Sequence, residues 1–103
     1  MPYTPHRLLR LPAVLDAFGI GRTKLYADLA AGLVTRPVAL GVHSVGWPVR
    51  EVTLLVAARV AGKTDSQIRD LVRGLEADRA SALDEAFASV GLRSRPLATE
   101  VHA

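Results

Sequence analysis

Between Leu11 and Leu33 the chain reads LPAVLDAFGIGRTKLYADLAAGL, and no other stretch limits its fold as much. Leu11, Val14, Leu15 and Phe18 recur at helical spacing and run into Gly19-Ile20-Gly21. Two glycines within three residues break a helix, because each loses much backbone entropy on ordering and neither brings a side chain to pack. A second helical stretch follows, with Leu25 and Leu29 four apart and Gly32 placed to stop it. Two short helices joined by a tight glycine turn predict a helix-turn-helix, whose second helix can lie in a DNA major groove. That helix opens on Arg22-Thr23-Lys24, and its first turn is the part that meets base edges in such motifs.

The 103 residues suffice for one domain with a modest core. Half are hydrophobic, which argues against disorder, and only 5% are aromatic, so the core must be built from Leu, Val and Ala. With no cysteine, neither a disulfide framework nor a thiolate zinc site is available. No apolar run approaches the roughly 20 residues of a membrane span, and MPYTPHRLLR lacks the apolar stretch of a secretory signal. A cytoplasmic, nucleoid-associated protein without membrane contact is expected. The net charge of +3 is unevenly placed: residues 1–64 carry eight Lys/Arg against three acids, and residues 65–103 five Arg against seven acids. A cationic head followed by a slightly acidic tail section suits a polyanion-binding domain with an appended non-binding part.

Pro2 and Pro5 keep Met1 to Arg10 extended. Pro12 fits the first turn of the first helix, where its missing N–H costs nothing. The second helix is expected over Arg22–Ala31, with Gly21 as a weak N-cap. Val38-Ala39-Leu40 and Ser44-Val45-Gly46-Trp47 flank Gly41-Val42-His43, the pattern of a hairpin with a three-residue loop. A hairpin directly after a helix-turn-helix is the layout of a winged helix. Pro48 opens a third helix, Val49–Ala61, closed by Gly62. Val52, Leu55, Val56 and Val60 share one face of it and Leu54, Ala57, Ala58 and Ala61 the other, so it must be covered on both sides. Thr64-Asp65-Ser66 is a capping cluster. Behind it Ile68, Leu71, Val72, Leu75, Leu83, Phe87 and Val90 predict one long helix over Ser66–Ser89, with Gly74 and Arg79 weakening its middle enough to allow a bend or break there.

With Leu25 and Leu29 turned inward, Thr23, Lys24, Ala27 and Ala30 point outward, and Arg22 and Tyr26 stand at the edges. Arg22 and Lys24 can reach guanine edges or phosphates, Thr23 a phosphate or a thymine methyl, and the Tyr26 hydroxyl a phosphate. His43 and Ser44 stand at the hairpin tip, within reach of minor-groove sugar or phosphate, and Arg36 flanks the hairpin as a further phosphate candidate. Arg7 and Arg10 extend the basic surface. Trp47, Phe18 and Ile20 read as core. Catalysis has no support: there is no glycine-rich phosphate loop, no HExxH spacing and no convergent acid pair. No enzyme activity, cofactor or metal is expected. Asp84-Glu85, Glu76 and Asp78 read as solvated charge.

From Arg7 to Lys63 the chain resembles the AlpA family of phage regulatory proteins, small relatives of the MerR-type winged helix and of phage excisionases. The resemblance rests on Arg7-Leu8-Leu9-Arg10-Leu11-Pro12, Val14-Leu15 and Gly19-Ile20-Gly21-Arg22-Thr23-Lys24-Leu25-Tyr26. It continues through Gly32, Arg36-Pro37-Val38, Leu40-Gly41, Ser44-Val45-Gly46-Trp47 and Glu51-Val52. It implies a prophage-associated protein that regulates transcription or directs excision. The chain departs from the family pattern where Gly21 replaces a serine cap and where Ala27, Ala30, Ala39 and Val42 stand at positions often basic or glycine.

The expected architecture is mainly α. A winged helix-turn-helix with a two-stranded β wing occupies residues 1–63, a helical extension residues 64–91 and a flexible tail residues 92–103. The expected function is sequence-specific binding of double-stranded DNA, as transcription factor or recombination directionality factor. Two alternatives stand beside it: a packaging adaptor like a small terminase subunit, and a protein-interaction module that has lost DNA binding. The stripe Ile68, Leu71, Val72, Leu75, Leu83 and Phe87 either covers the third helix of its own chain or joins two copies. Self-association is favoured, since Leu54 and its neighbouring alanines also need cover.

Overall fold

Proline and glycine set most of the helix ends. In the computed structural model, which describes residues 6–91, α1 spans Leu11–Phe18 with Pro12 in its first turn. Gly19 ends it in the left-handed region at φ 68, ψ 35, a conformation that costs other residues about 1–2 kcal/mol. The Gly19 N–H donates to the Asp16 carbonyl and the Ile20 N–H to that of Leu15, each at 3.1 Å. The interhelical turn therefore satisfies its own backbone. Helix α2 runs over Arg22–Ala30 from an extended Gly21.

The sheet has three antiparallel strands rather than two. Strands β2 (Val38–Ala39) and β3 (Val45–Pro48) form the expected hairpin. The extended arm contributes β1 (Leu8–Leu9) on the other side of β3. Leu9 stands opposite Trp47 and Leu8 opposite Pro48. Two residues are too few to display strand alternation, so the arm read only as extended chain.

Helix α3 covers Val49–Val60. Helix α4 (Asp65–Ala77) starts at a reciprocal capping box between Thr64 and Gln67, with bonds of 3.2 and 3.0 Å. Helix α5 spans Arg79–Ser89. The single helix expected over Ser66–Ser89 is thus two, meeting at Asp78. Between Leu75 and Leu83 no large apolar side chain carries the stripe forward, and Arg79 is bonded away toward α3 instead. The tail expected over 92–103 lies outside the described residues.

Two apolar clusters share α3. Val14, Leu25, Val34, Trp47 and Val52 form the first, between α1, α2, β3 and α3. Leu33, Leu55, Ile68, Val72 and Leu75 form the second, between α3 and α4. Phe18 packs against both, and Ile20 against the first. The face division expected for α3 is therefore rotated: Leu55 joins Ala58 against α4, while Val60 is 83% exposed and Leu54 37% exposed. Ile68, Val72 and Leu75 of the expected self-association stripe are buried against their own α3 and so are not open to a second copy. Leu83 remains exposed and Phe87 half-buried on α5.

Trp47 plugs the first cluster as expected. It is fully buried, and its indole Nε1 donates to the Thr35 carbonyl at 2.9 Å. The Thr35 hydroxyl beside it is buried with no hydrogen-bond partner among the described residues. An orphaned buried hydroxyl costs about 1–3 kcal/mol, and a methyl of similar shape escapes that penalty. Thr35→Val is therefore expected to raise unfolding stability by about 1 kcal/mol, read as a higher urea midpoint with an unchanged slope.

Candidate nucleic-acid interface

Helix α2 presents one buried and one open side. Leu25 is fully buried, Leu29 packs at the edge of the first cluster, and Arg22, Thr23, Lys24, Tyr26, Ala27 and Ala30 are all exposed. Four of the residues expected to touch DNA thus lie together on the open side of one helix: Arg22, Thr23, Lys24 and Tyr26. Gly21 offers no side-chain acceptor, so the first-turn amides of α2 remain available to solvent or an anion. Alanines at 27 and 30 keep this side low, allowing close approach of a surface.

The two cations of the first turn differ in their surroundings. Among the described residues Arg22 has no ion-pair partner. Lys24 Nζ lies 2.8 Å from Asp28 Oδ1, one helical turn on, and Asp28 is largely buried. The Lys24 side chain is still 62% exposed, so its ammonium is steered and partly neutralised rather than hidden. The i,i+4 spacing of Lys24 and Asp28 was visible in the sequence as a helical ion pair.

The hairpin tip carries Val42, 92% exposed, and an exposed His43. Ser44 is half-buried, since the Leu40 N–H donates to its carbonyl at 2.8 Å and closes the loop. Arg36 at the hairpin base is exposed but is already engaged by an acid. Its N–H donates to Glu76 Oε2 at 2.7 Å, and its Nε lies 3.4 Å from Glu76 Oε1. Glu76 is correspondingly not solvated charge: its side chain is only 19% exposed. Glu85 likewise has a partner, His6 Nε2 at 3.2 Å. Arg7 and Arg10 are exposed, and the Val49 N–H donates to the Arg7 carbonyl at 2.8 Å, joining the arm to the start of α3.

A buried ion pair that sequence reading missed stands behind the hairpin. Arg79 donates through Nε to Glu51 Oε2 at 2.9 Å and through Nη2 to Oε1 at 2.8 Å. Glu51 is 4% exposed. These hydrogen bonds hold the Arg79 guanidinium above its ordinary range; burial opposes them, and the nearby Glu51 and Glu76 charges reinforce them. An acid in the first turn of an otherwise apolar helix was the available signal, but its partner lies 28 residues away. Among the described residues no helix is long and apolar enough to cross a membrane, and no cluster of three His, Asp or Glu side chains is arranged to hold a metal ion.

Residues 7–60, just over half the chain, match the family described as prophage CP4-57 regulatory protein (AlpA). The chain belongs to the AlpA family. It is also 37% identical over 60 residues to "Uncharacterized protein ORF88" of Enterobacteria phage P4, an alignment covering 58% of this chain and 68% of that protein. No solved structure matches it. The AlpA match takes in α1, α2, the sheet and α3 and stops before α4 begins. A phage regulatory protein, mainly α with a small β wing, is what sequence and fold together establish.

Proposed function

We propose that this AlpA-family chain binds double-stranded DNA sequence-specifically and so regulates prophage genes or directs prophage excision. The observation that carries this reading is the open side of α2, with Arg22, Thr23, Lys24 and Tyr26 exposed over low alanines. Helix α2 enters the major groove, where Arg22 and Lys24 meet base edges or phosphates and Thr23 and Tyr26 hold the backbone. His43 and Ser44 reach the neighbouring sugar-phosphate from the hairpin. Arg36 contributes less than its charge suggests, because Glu76 already engages it.

A head with so few free cations makes about three to five phosphate contacts, and its log–log salt slope is about −0.9 per contact. The test is a mobility shift of duplexes from the prophage control and attachment regions, titrated with salt, against an unrelated duplex. Salt-sensitive binding with preference for the phage sequence supports the proposal. Retention of salt-insensitive self-association with no duplex binding would leave a protein-interaction module. Adjacent sites would let two copies bind cooperatively. Of the six residues considered for such pairing, Leu83 and Phe87 on α5 are not enclosed by their own core.

Asp28 offers a second check on the same helix. Asp28→Asn removes the charge that engages Lys24 and is expected to tighten duplex binding about threefold, as an ion pair whose lysine end is exposed is worth a fraction of a kcal/mol. The salt slope should steepen as Lys24 gains a phosphate. An unchanged slope would assign Lys24 no phosphate contact.

A further inference from the structure

Three side chains from α4 and α5 converge on the two parts proposed to meet DNA. Arg69 Nε donates to the Ala31 carbonyl at 2.8 Å, closing the C-terminal end of α2. A cation there also complements the negative end of the helix. Leu33, just after α2, is packed among Ile68, Val72 and Leu75 of α4. At the hairpin base, Glu76 accepts the Arg36 N–H. Arg79 Nη2 donates to the Arg36 carbonyl at 2.5 Å while pairing with Glu51. Both backbone polar groups of Arg36, two residues before β2, are thus taken up by side chains of the C-terminal helices.

Apolar packing seats α4 but does not explain the placement of α5. Helix α5 buries no side chain. A cleft of about 500 Å³, walled by Leu8, Val38, Pro48 and Ala82, separates the hairpin side of the sheet from α5. What joins the two sides is a set of directed, charge-assisted hydrogen bonds, which fix orientation as well as distance. All three residues also lie beyond the family match, which ends at residue 60.

We infer that α4 and α5 are a brace that presets the recognition helix and the hairpin base for DNA, with Arg69, Glu76 and Arg79 as its positioning residues. This rests on the DNA-binding reading above. A hairpin already held in place has less to order on binding, and the affinity gain comes from that saving rather than from added contacts.

Glu76→Ala and Glu76→Gln in the full chain separate positioning from charge. Both remove the same negative charge, but only glutamine keeps an acceptor for the Arg36 N–H. Amide hydrogen exchange at Arg36 and Val38 is followed by NMR alongside duplex affinity and melting. Relative to Glu76→Gln, the alanine variant is expected to exchange about fivefold faster at these amides and to bind about fivefold more weakly, the worth of one hydrogen bond. The salt slope stays the same, since no phosphate contact is lost. Equal exchange and affinity in the two variants, or faster exchange spread evenly over α1 and α3, would overturn the brace. Should neither variant nor the wild type retard a duplex, the DNA reading falls, and local exchange alone upholds or overturns the brace.

Discussion

Replacing Arg22 and Lys24 together by alanine is expected to abolish specific retardation of the cognate duplex while leaving the fold intact. Both side chains are exposed and neither touches the apolar clusters, so the loss is not one of packing. Alanine is also the best helix former, which protects α2 itself. Among the described residues the one ion pair removed is Lys24–Asp28, whose ammonium is exposed though its carboxylate is largely buried, a bond worth about 1 kcal/mol or less. A good bidentate side-chain contact to a base is worth about 1–3 kcal/mol of discrimination, so losing two lowers specific affinity by about a hundredfold or more. The salt slope should fall by about one unit for each phosphate the pair neutralises. Mobility shifts with cognate and unrelated duplexes, beside a melting curve, give the readout. Retardation like that of the wild type, with normal melting, would remove the first turn of α2 from the interface.

Removing Arg79 alone is expected to lower stability by as much as truncating a large core side chain. Arg79→Ala leaves the Glu51 carboxylate buried without its two charge-assisted hydrogen bonds, and breaking a buried pair from one side costs about 3–5 kcal/mol. The change also removes the donor to the Arg36 carbonyl. The Glu51→Met, Arg79→Met double variant should recover most of that loss, because no uncompensated charge remains and the site lies beside apolar walls. Urea unfolding of the two variants and the wild type decides between the outcomes. If the single and double variants unfold at the same midpoint, the penalty arises from lost packing of the arginine stem rather than from the stranded carboxylate.

Much of the head was legible along the chain because its signals are local. Pro12 at a helix start, Gly19 in the left-handed region and the Thr64–Gln67 box each act within four residues. Trp47 as a core plug followed from its place before Pro48, where the hairpin joins the third helix. The exposed side of α2 followed from Leu25 and Leu29 alone, since burying two residues four apart fixes which others face out. The errors share one cause. Glu76 read as solvated charge, yet it is largely covered and meets Arg36 across 40 positions; Glu85 and Arg36 do face solvent, but each has a distant partner, His6 for Glu85 across 79 positions. The break at Asp78 falls where the stripe is already weak, and the residue after it, Arg79, bonds to the distant Glu51.

Residue pattern by itself determined the class of fold, the order of its helices and hairpin, and the side of α2 open to a partner, since backbone preference and apolar spacing act between near neighbours. Tertiary structure alone decided that the α4 part of the C-terminal stripe covers its own chain, that β1 joins the sheet, and that Glu51, Glu76 and Arg79 hold the hairpin base. Such pairings depend on which distant groups meet out of water, and a charge carries no local mark of its eventual partner.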